Sequence, residues 1–189
     1  PPQSVAMPTV RVAGVGLTPF GDHGDRAGRD LFAEAAAAAI DDAGVDRRAV
    51  DRLDYGNFMG ALAEQQAHQA PLMAEAAGLD CPATRYEEAC ASAGVAVKAG
   101  VEAIRAGTAD LVVAGGMERM NCLDTGGATD ALAIAADELY EVRAGMTFPS
   151  AYALMAQAYF ERFGGDREDL AHIAVKNHAN AVPNEFAQY

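Results

Sequence analysis

Cys90 lies in the stretch EEACASAGVAVKAG, Glu87 to Gly100, at the seam between two kinds of local structure. The preceding ATRYEE reads as a short strand or its end, and the following run of Ala, Ser, Gly and Val reads as a closely packed helix. In an open parallel sheet, reactive groups gather at the carboxyl ends of strands. A helix N-terminus adds partial positive charge and unpaired N–H groups. Both favour a thiolate, so the sequence predicts a lowered pKa at Cys90, making it the most acidic of the three thiols. The same N–H groups can receive a developing oxyanion. Small side chains at Ala91, Ser92, Ala93 and Gly94 let the helix pack tightly and leave room for an acyl chain beside the sulfur. The plainer alternative is a lone cysteine serving as core. Cys81 and Cys122 lack the strand-to-helix setting and read as core or surface.

Other chemistry is poorly supported. The three cysteines form no CxxC pair, which together with the absence of a secretory signal points to a reducing, cytoplasmic compartment. His23, His68, His172 and His178 show neither HxxxH nor HExxH spacing, so no metal site is expected. His172 and His178 are six residues apart on a probable helix, on different faces, and read as surface residues. VAGVGLTP, Val12 to Pro19, has GxG after an apparent strand, but Pro19 stands where a dinucleotide loop needs its third glycine. A net charge of −13 disfavours nucleic acid and anionic membranes as partners. No apolar stretch reaches the roughly 18 to 20 residues that span a bilayer. The basic residues are twelve arginines and two lysines, Lys98 and Lys176, with acidic residues spread throughout. That pattern suits a protein kept soluble at high salt, where self-repulsion is screened, or simply a GC-rich genome.

The elements that must position Cys90 follow from periodicity. TVRVAGVGLTPF reads as a first strand and loop, followed by a helix capped by Asp25 or Asp30 and stopped by Gly44. Asp51 to Phe58 reads as a second strand, Glu64 to Ala77 as a helix closed by Gly78, and CPATRYEEA as a third strand. Ala91 to Ala106 gives a helix stopped by Gly107, and Asp110 to Met117 a continuously apolar, buried fourth strand. This βαβαβαβ order predicts an α/β fold with a mostly parallel sheet. The segment after Met120 reads as loops and short helices, with longer helices at about Tyr152 to Phe163 and Arg167 to Ala181. The expected divisions are a disordered start at 1–8, with Met7 as the natural first residue, a core at 9–120, and an inserted loop and helical region at 121–189.

EEACASAGVAVKAGVEAIRAGTADLVVAGGMERM resembles the thiolase superfamily. The pieces stand in order: Cys90, Ala91 and Ser92, then Gly107 and Asp110, then Gly115, Gly116, Met117, Glu118 and Met120. YGNFMGALAEQQAHQAPLMAEAAGL is similar to the family's second strand and following helix. VKNHANAVPNEFAQY resembles the branch of sterol carrier protein x and the archaeal acetyl-CoA acetyltransferases. The resemblance implies a thiolase-like fold, represented by its first half with part of the inserted region. It implies an acyl-CoA acyltransferase whose Cys90 attacks a thioester and carries the acyl group, with the Cys90 backbone N–H as an oxyanion donor. Coenzyme A thioesters would be substrates, with no permanently bound cofactor. Met146, Phe148 and Tyr152 fall in the segment that covers the acyl pocket in the family, which places them near substrate.

The family takes its histidine, its second reactive cysteine and an oxyanion-hole glycine from a second half whose G-H-P-x-G and C-x-G motifs are not in this sequence. Asn184, Glu185 and Phe186 do not have the spacing of the family's N-E-A-F motif. The expectation is a chain that ends within the inserted region, lacks its partner layer, exposes an apolar helix face and is poorly stable alone. A complete enzyme would be a homodimer. Two alternatives stand beside this reading: a related 3-oxoacyl-acyl carrier protein synthase, and a non-catalytic subunit or remnant that needs a separate second half.

Overall fold

A computed structural model describes residues 9–189, and the expected disordered start at 1–8 lies outside the described residues. These residues divide into two compact units, one comprising residues up to Thr18 with His23–Arg119, the other Pro19–Asp22 with Met120–Tyr189.

The first unit is built on α1 (Gly28–Ala43), β1 (Arg52–Gly56), α2 (Gly60–Ala63), α3 (Gln69–Ala76), β2 (Ala83–Tyr86), α4 (Ser92–Arg105) and β3 (Val112–Gly116). The three strands are parallel in the order β2-β1-β3, with Leu53 opposite Ala83 and Val113. Alternation along β1 sends Leu53 and Tyr55 to one face and Asp54 and Gly56 to the other. The first face carries the apolar core: Leu31, Phe32, Ala36 and Ile40 of α1, Ala70, Met73 and Ala74 of α3, with Leu79 and Met117. Phe32 meets Tyr55 edge to face, ring centroids 5.3 Å apart. On the other face lies α4, whose buried residues are Ser92, Ala96, Gly100 and Ala103. A Cβ on Gly56 would fall within 2.5 Å of Ala93 Cα, so the central strand and the first turn of α4 touch through main chain.

The C-termini follow the sequence signals. At the other end of α1 the N-cap is Ala27 and not Asp25 or Asp30; Asp30 stands in the first turn, where its Oδ2 accepts from the Ala27 N–H at 3.2 Å, and Gly44 closes α1 in the left-handed region at φ 64°. Gly78 and Gly107, with φ of 67° and 70°, turn the chain after α3 and α4.

Three further expectations are corrected. TVRVAGVGLTPF forms no strand. Gly14 and Gly16 lie against α1, where a Cβ would come within 2.5 Å of Ala43 N and Ala39 N respectively. The segment therefore runs antiparallel to the helix on a glycine face while Val12, Val15 and Leu17 face outward. Its apolar alternation is real, but the inward positions are glycines that fit a helix surface and not a sheet edge, so among the described residues the sheet has three strands. The helix expected over Glu64–Ala77 begins only at Gln69, and the short α2 stands ahead of the expected span. Gln65 takes φ 54° and the Gln66 N–H returns to Gly60 O at 3.1 Å, so residues 64–68 form a turn and not the first turns of α3. Finally, β3 is an edge strand of intermediate exposure, not the fully buried strand its apolar run suggests.

The second unit holds α5 (Thr125–Ala133), a π-helical turn at Glu138–Val142, α6 (Phe148–Phe163) and α7 (Arg167–Ala181). Each α-helix has a side-chain cap: Asp124 accepts from the Gly127 N–H at 2.7 Å, Thr147 pairs with Ser150, and Asp166 pairs with Asp169. Tyr152, Leu154, Met155, Tyr159 and Phe163 of α6 and Leu170, Ile173 and Val175 of α7 are exposed. Among the described residues no helix is long and apolar enough to cross a membrane.

The contact at Gly56 leads to a measurable expectation. Gly56→Ala forces α4 away from β1 and lowers stability by about 2 kcal/mol or more. Urea unfolding checks this, and an unchanged midpoint with an unchanged slope contradicts it.

Candidate active site

Cys90 sits in a 3₁₀ turn, Ala89–Ala91, between β2 and α4, with its residue surface exposed. The thiol thus precedes the α-helix proper by two residues. The turn is tied by one hydroxyl. Ser92 Oγ accepts from the Glu88 N–H at 2.9 Å and donates to Ala89 O at 2.7 Å, while the Ala91 N–H donates to Glu88 O at 2.9 Å. Glu87 Oε1 accepts from the Ala89 N–H at 2.6 Å. Ala89 itself takes φ 47°, a conformation that costs an L-alanine about 1 to 2 kcal/mol. The chain accepts that strain immediately before its one cysteine at a strand-to-helix junction. The small residues divide in their roles. Ser92 is buried, whereas Ala91, Ala93 and Gly94 are exposed, and nothing lies within 4 Å of a Cβ placed on Gly94.

Cys81 differs from Cys90 in setting. It is partly buried, and burial, with Asp80 and Asp51 nearby, pushes its thiol up. Cys122 lies exposed in the second unit, in the 3₁₀ turn Met120–Cys122.

Several residues beside the carboxyl ends of the strands escape a sequence reading. Tyr55 and Gln69 are buried, and the Tyr55 hydroxyl donates to Gln69 Oε1 at 3.1 Å. Gln69 Nε2 donates to Glu64 Oε2 at 3.3 Å, which turns its oxygen toward the tyrosine. Buried Asn57 donates from Nδ2 to Met117 O at 2.7 Å and accepts the Gly60 N–H on Oδ1 at 2.9 Å. Desolvation, with Glu118 and Glu64 nearby, pushes the Tyr55 phenol up. Glu118 accepts from the Phe58 and Met59 N–H groups. Desolvation pushes its carboxyl up, while those two amides and Arg85 pull it back. The one signal for this cluster was Glu118, at a fixed step beyond a Gly-Gly strand end; the partners are distant in sequence.

Met146, Phe148 and Tyr152 do come together. They line one cleft of the second unit, about 170 Å³, with Ala133, Ala151 and Met155, and the Phe148 and Tyr152 rings lie 5.9 Å apart. Tyr152 remains 61% exposed, so an incoming group could still cover it. The other sequence candidates have structural employment. His178 Nδ1 lies 2.8 Å from Ala174 O within α7. Asn184 accepts from the Phe186 N–H at 3.1 Å on its side chain and from the Ala187 N–H at 3.0 Å on its carbonyl, which makes a local turn. VAGVGLTP lacks the strand-to-helix setting of a dinucleotide loop, because its glycines pack on α1.

Two outcomes follow from this geometry. Ser92→Ala leaves the Glu88 N–H and Ala89 carbonyl without their bridge, lowering stability by about 1 to 3 kcal/mol and broadening the Cys90 turn. Urea unfolding with amide exchange at Glu88 reads both. At a pH near 8, iodoacetamide alkylates Cys81 about tenfold more slowly than Cys90, since a raised, partly covered thiol carries less thiolate. Peptide mapping measures the ratio, and equal rates contradict it.

Comparison with known proteins finds relatives over nearly the whole chain. A family model described as the thiolase N-terminal domain matches residues 10–189. An acetyl-CoA acetyltransferase of Methanothermobacter thermautotrophicus is 42% identical over 184 residues, covering 97% of this chain and 48% of that protein. One from Methanocaldococcus jannaschii is 40% identical over 184 residues, covering 97% of this chain and 46% of that protein. Human sterol carrier protein 2 is 26% identical over 199 residues, covering all of this chain and 36% of that protein. The chain spans about half the length of the first two of these relatives. With an α/β unit of parallel strands and a family match over nearly its whole length, the chain belongs to the thiolase family and carries that family's N-terminal domain.

Proposed function

We propose that this chain is the nucleophile-bearing part of an acyl-CoA acyltransferase of the acetyl-CoA acetyltransferase or 3-oxoacyl-CoA thiolase type. Cys90 is its acyl carrier. The observation that carries this reading is the exposed thiol held in a strained 3₁₀ turn between a parallel strand and a helix. The relatives named acetyl-CoA acetyltransferase support the same class of reaction.

In the first half-reaction the Cys90 sulfur adds to the thioester carbonyl. A tetrahedral oxyanion forms, stabilised by the Cys90 backbone N–H. Its collapse breaks the bond to the coenzyme A sulfur, which leaves as a thiolate or takes the proton that Cys90 gave up. The acyl group then resides on Cys90 as a new thioester, so no oxidation or reduction occurs. In condensation a second acyl-CoA, deprotonated at its α-carbon, attacks that thioester; in thiolysis coenzyme A cleaves a 3-oxoacyl-CoA. The acid and base of these later steps belong to a second half that this chain does not supply. Met146, Phe148 and Tyr152 form an apolar contact surface for substrate, and the complete enzyme works as a cytoplasmic homodimer on coenzyme A thioesters without a permanently bound cofactor.

The test is incubation with acetyl-CoA, at low and high salt, followed by intact-mass analysis and peptide mapping. One acetyl group on Cys90, absent from Cys90→Ala, is the expected result. Label on Cys122 or the lysines in its place overturns the assignment, as does no label when a family second half is supplied as a separate chain.

A further inference from the structure

The chain leaving β1 makes a turn at Asn57–Met59 whose main chain is held from both sides by opposite charges. From β2, Arg85 donates through Nε and Nη2 to Asn57 O at 3.3 and 3.2 Å, and through Nη2 to Phe58 O at 3.2 Å. From the segment beyond β3, Glu118 accepts the Phe58 N–H on Oε1 and the Met59 N–H on both oxygens at 3.2 Å. Among the described residues no direct ion pair joins Arg85 to Glu118; the turn's peptides lie between the two charges. The remaining polar groups are also engaged, since the Asn57 N–H donates to Tyr86 O at 3.2 Å and its side chain bridges Met117 and Gly60.

This turn begins directly after Gly56, which rests on Ser92 and Ala93 of α4. Arg85 and Tyr86, its anchors on β2, are five and four residues before Cys90. A shift of the turn therefore moves both the strand that delivers the thiol and the surface that the helix after it rests on. We propose that Glu118 and Arg85 are positioning residues for acyl transfer at Cys90: clamping the 57–59 turn from its two neighbouring strands, they set where α4 begins and so where the sulfur stands. The proposal rests on the reading of Cys90 as acyl carrier. Neither residue touches the acyl group. Charge-assisted bonds to backbone suit the task, because they are stronger than neutral ones and fix main chain and not side chain. An error of about 1 Å at a reacting atom costs up to about a hundredfold in rate.

The test uses the full chain and its Glu118→Ala, Glu118→Gln, Glu118→Asp and Arg85→Ala variants. Single-turnover acetylation of Cys90 by acetyl-CoA is followed against acetyl-CoA concentration, with iodoacetamide alkylation of Cys90 and Cys122 measured in parallel samples. Glu118→Ala and Arg85→Ala lower the limiting acetylation rate about tenfold while the half-saturating acetyl-CoA concentration and Cys122 alkylation stay as in the wild type. Glu118→Gln, whose single carbonyl oxygen can accept both amide bonds, returns to within about threefold of the wild type. A wild-type rate in Glu118→Ala overturns the proposal, and so does a Gln variant as slow as the Ala variant. Should Glu118→Ala fail to fold, the Asp variant, one methylene short of the turn, must be slower than the Gln variant; equal rates overturn the proposal. Should the wild type take up no acetyl group even with a family second half supplied as a separate chain, the acyl-carrier reading fails by itself. The clamp is then decided by the Cys90-to-Cys122 alkylation ratio, which supports it if Glu118→Ala shifts the ratio about threefold and Gln restores it, and overturns it if the ratio holds.

Discussion

The constraint on which the position of the thiol depends is the contact of two backbones at Gly56. Because that residue has no Cβ, the end of the central strand lies against the main chain of Ser92 and Ala93. Side-chain packing tolerates repacking among rotamers, whereas two touching backbones have no such freedom. The start of α4 is thereby fixed to the sheet, and with it the short turn that holds Cys90. Further along, Ala96, Gly100 and Ala103 continue the same close approach, so α4 lies low over the strands for its whole length. The Ser92 hydroxyl completes the arrangement by binding the Glu88 N–H and the Ala89 carbonyl at the start of the 3₁₀ turn, which is how a strained Ala89 is kept in place.

The two faces of the sheet consequently do different work. The face toward α1 and α3 is filled with Leu31, Phe32, Ile40, Leu53, Tyr55 and Met73, and supplies the hydrophobic driving force for this unit. The face toward α4 has small side chains and a buried charge, and supplies position. Tyr55 connects the two roles: its ring belongs to the apolar core, and its hydroxyl reaches Gln69 and the Met117 carbonyl at the carboxyl end. Geometry at the thiol end is thus coupled to the core through one side chain that cannot shift without disturbing both.

What could be read from sequence depended on whether the signal was local. Gly44, Gly78 and Gly107 end their elements because a left-handed residue is required at a single position, and single positions are legible. The parallel β-α-β order around Cys90 was equally legible, since strand and helix periods alternate there. The segment at Thr9–Phe20 deceived because its alternation reports one covered face without saying what covers it; Gly14 and Gly16 fit a helix as well as they would a strand. Gln65 hid the late start of α3, because a left-handed glutamine carries no sequence mark. At the site, Cys90 was visible by its setting, and Ser92 only as a small residue. Arg85, Asn57 and Glu118 act through partners 27 to 60 residues away, which no local pattern encodes.

Long-range ties also account for an otherwise costly feature, a charged residue inside the central strand. Asp54 has no exposed surface; its Oδ1 receives Arg52 Nη2 at 2.5 Å, and its Oδ2 has no hydrogen-bond partner among the described residues. Burying such a pair breaks even at best against apolar side chains of similar size, though removing one partner is expensive. Gly100 lies over it, and a Cβ there would press on Val112 Cγ1 at 3.0 Å while only touching Oδ2 at 3.4 Å. The compensation lies on the neighbouring strand. Arg52 keeps 27% of its side chain in solvent and donates from Nη2 to the Tyr86 hydroxyl at 3.1 Å. Tyr86 also accepts the Asn57 N–H on its carbonyl, and Arg85 grips the carbonyls of the turn beyond β1. Edge strand β2 is four residues long and among the described residues pairs with β1 alone, so ladder bonds by themselves hold it weakly. These ties all converge on its last two residues, the end from which the chain passes to Cys90. The buried charge is therefore best understood as part of what holds that end of the strand in register.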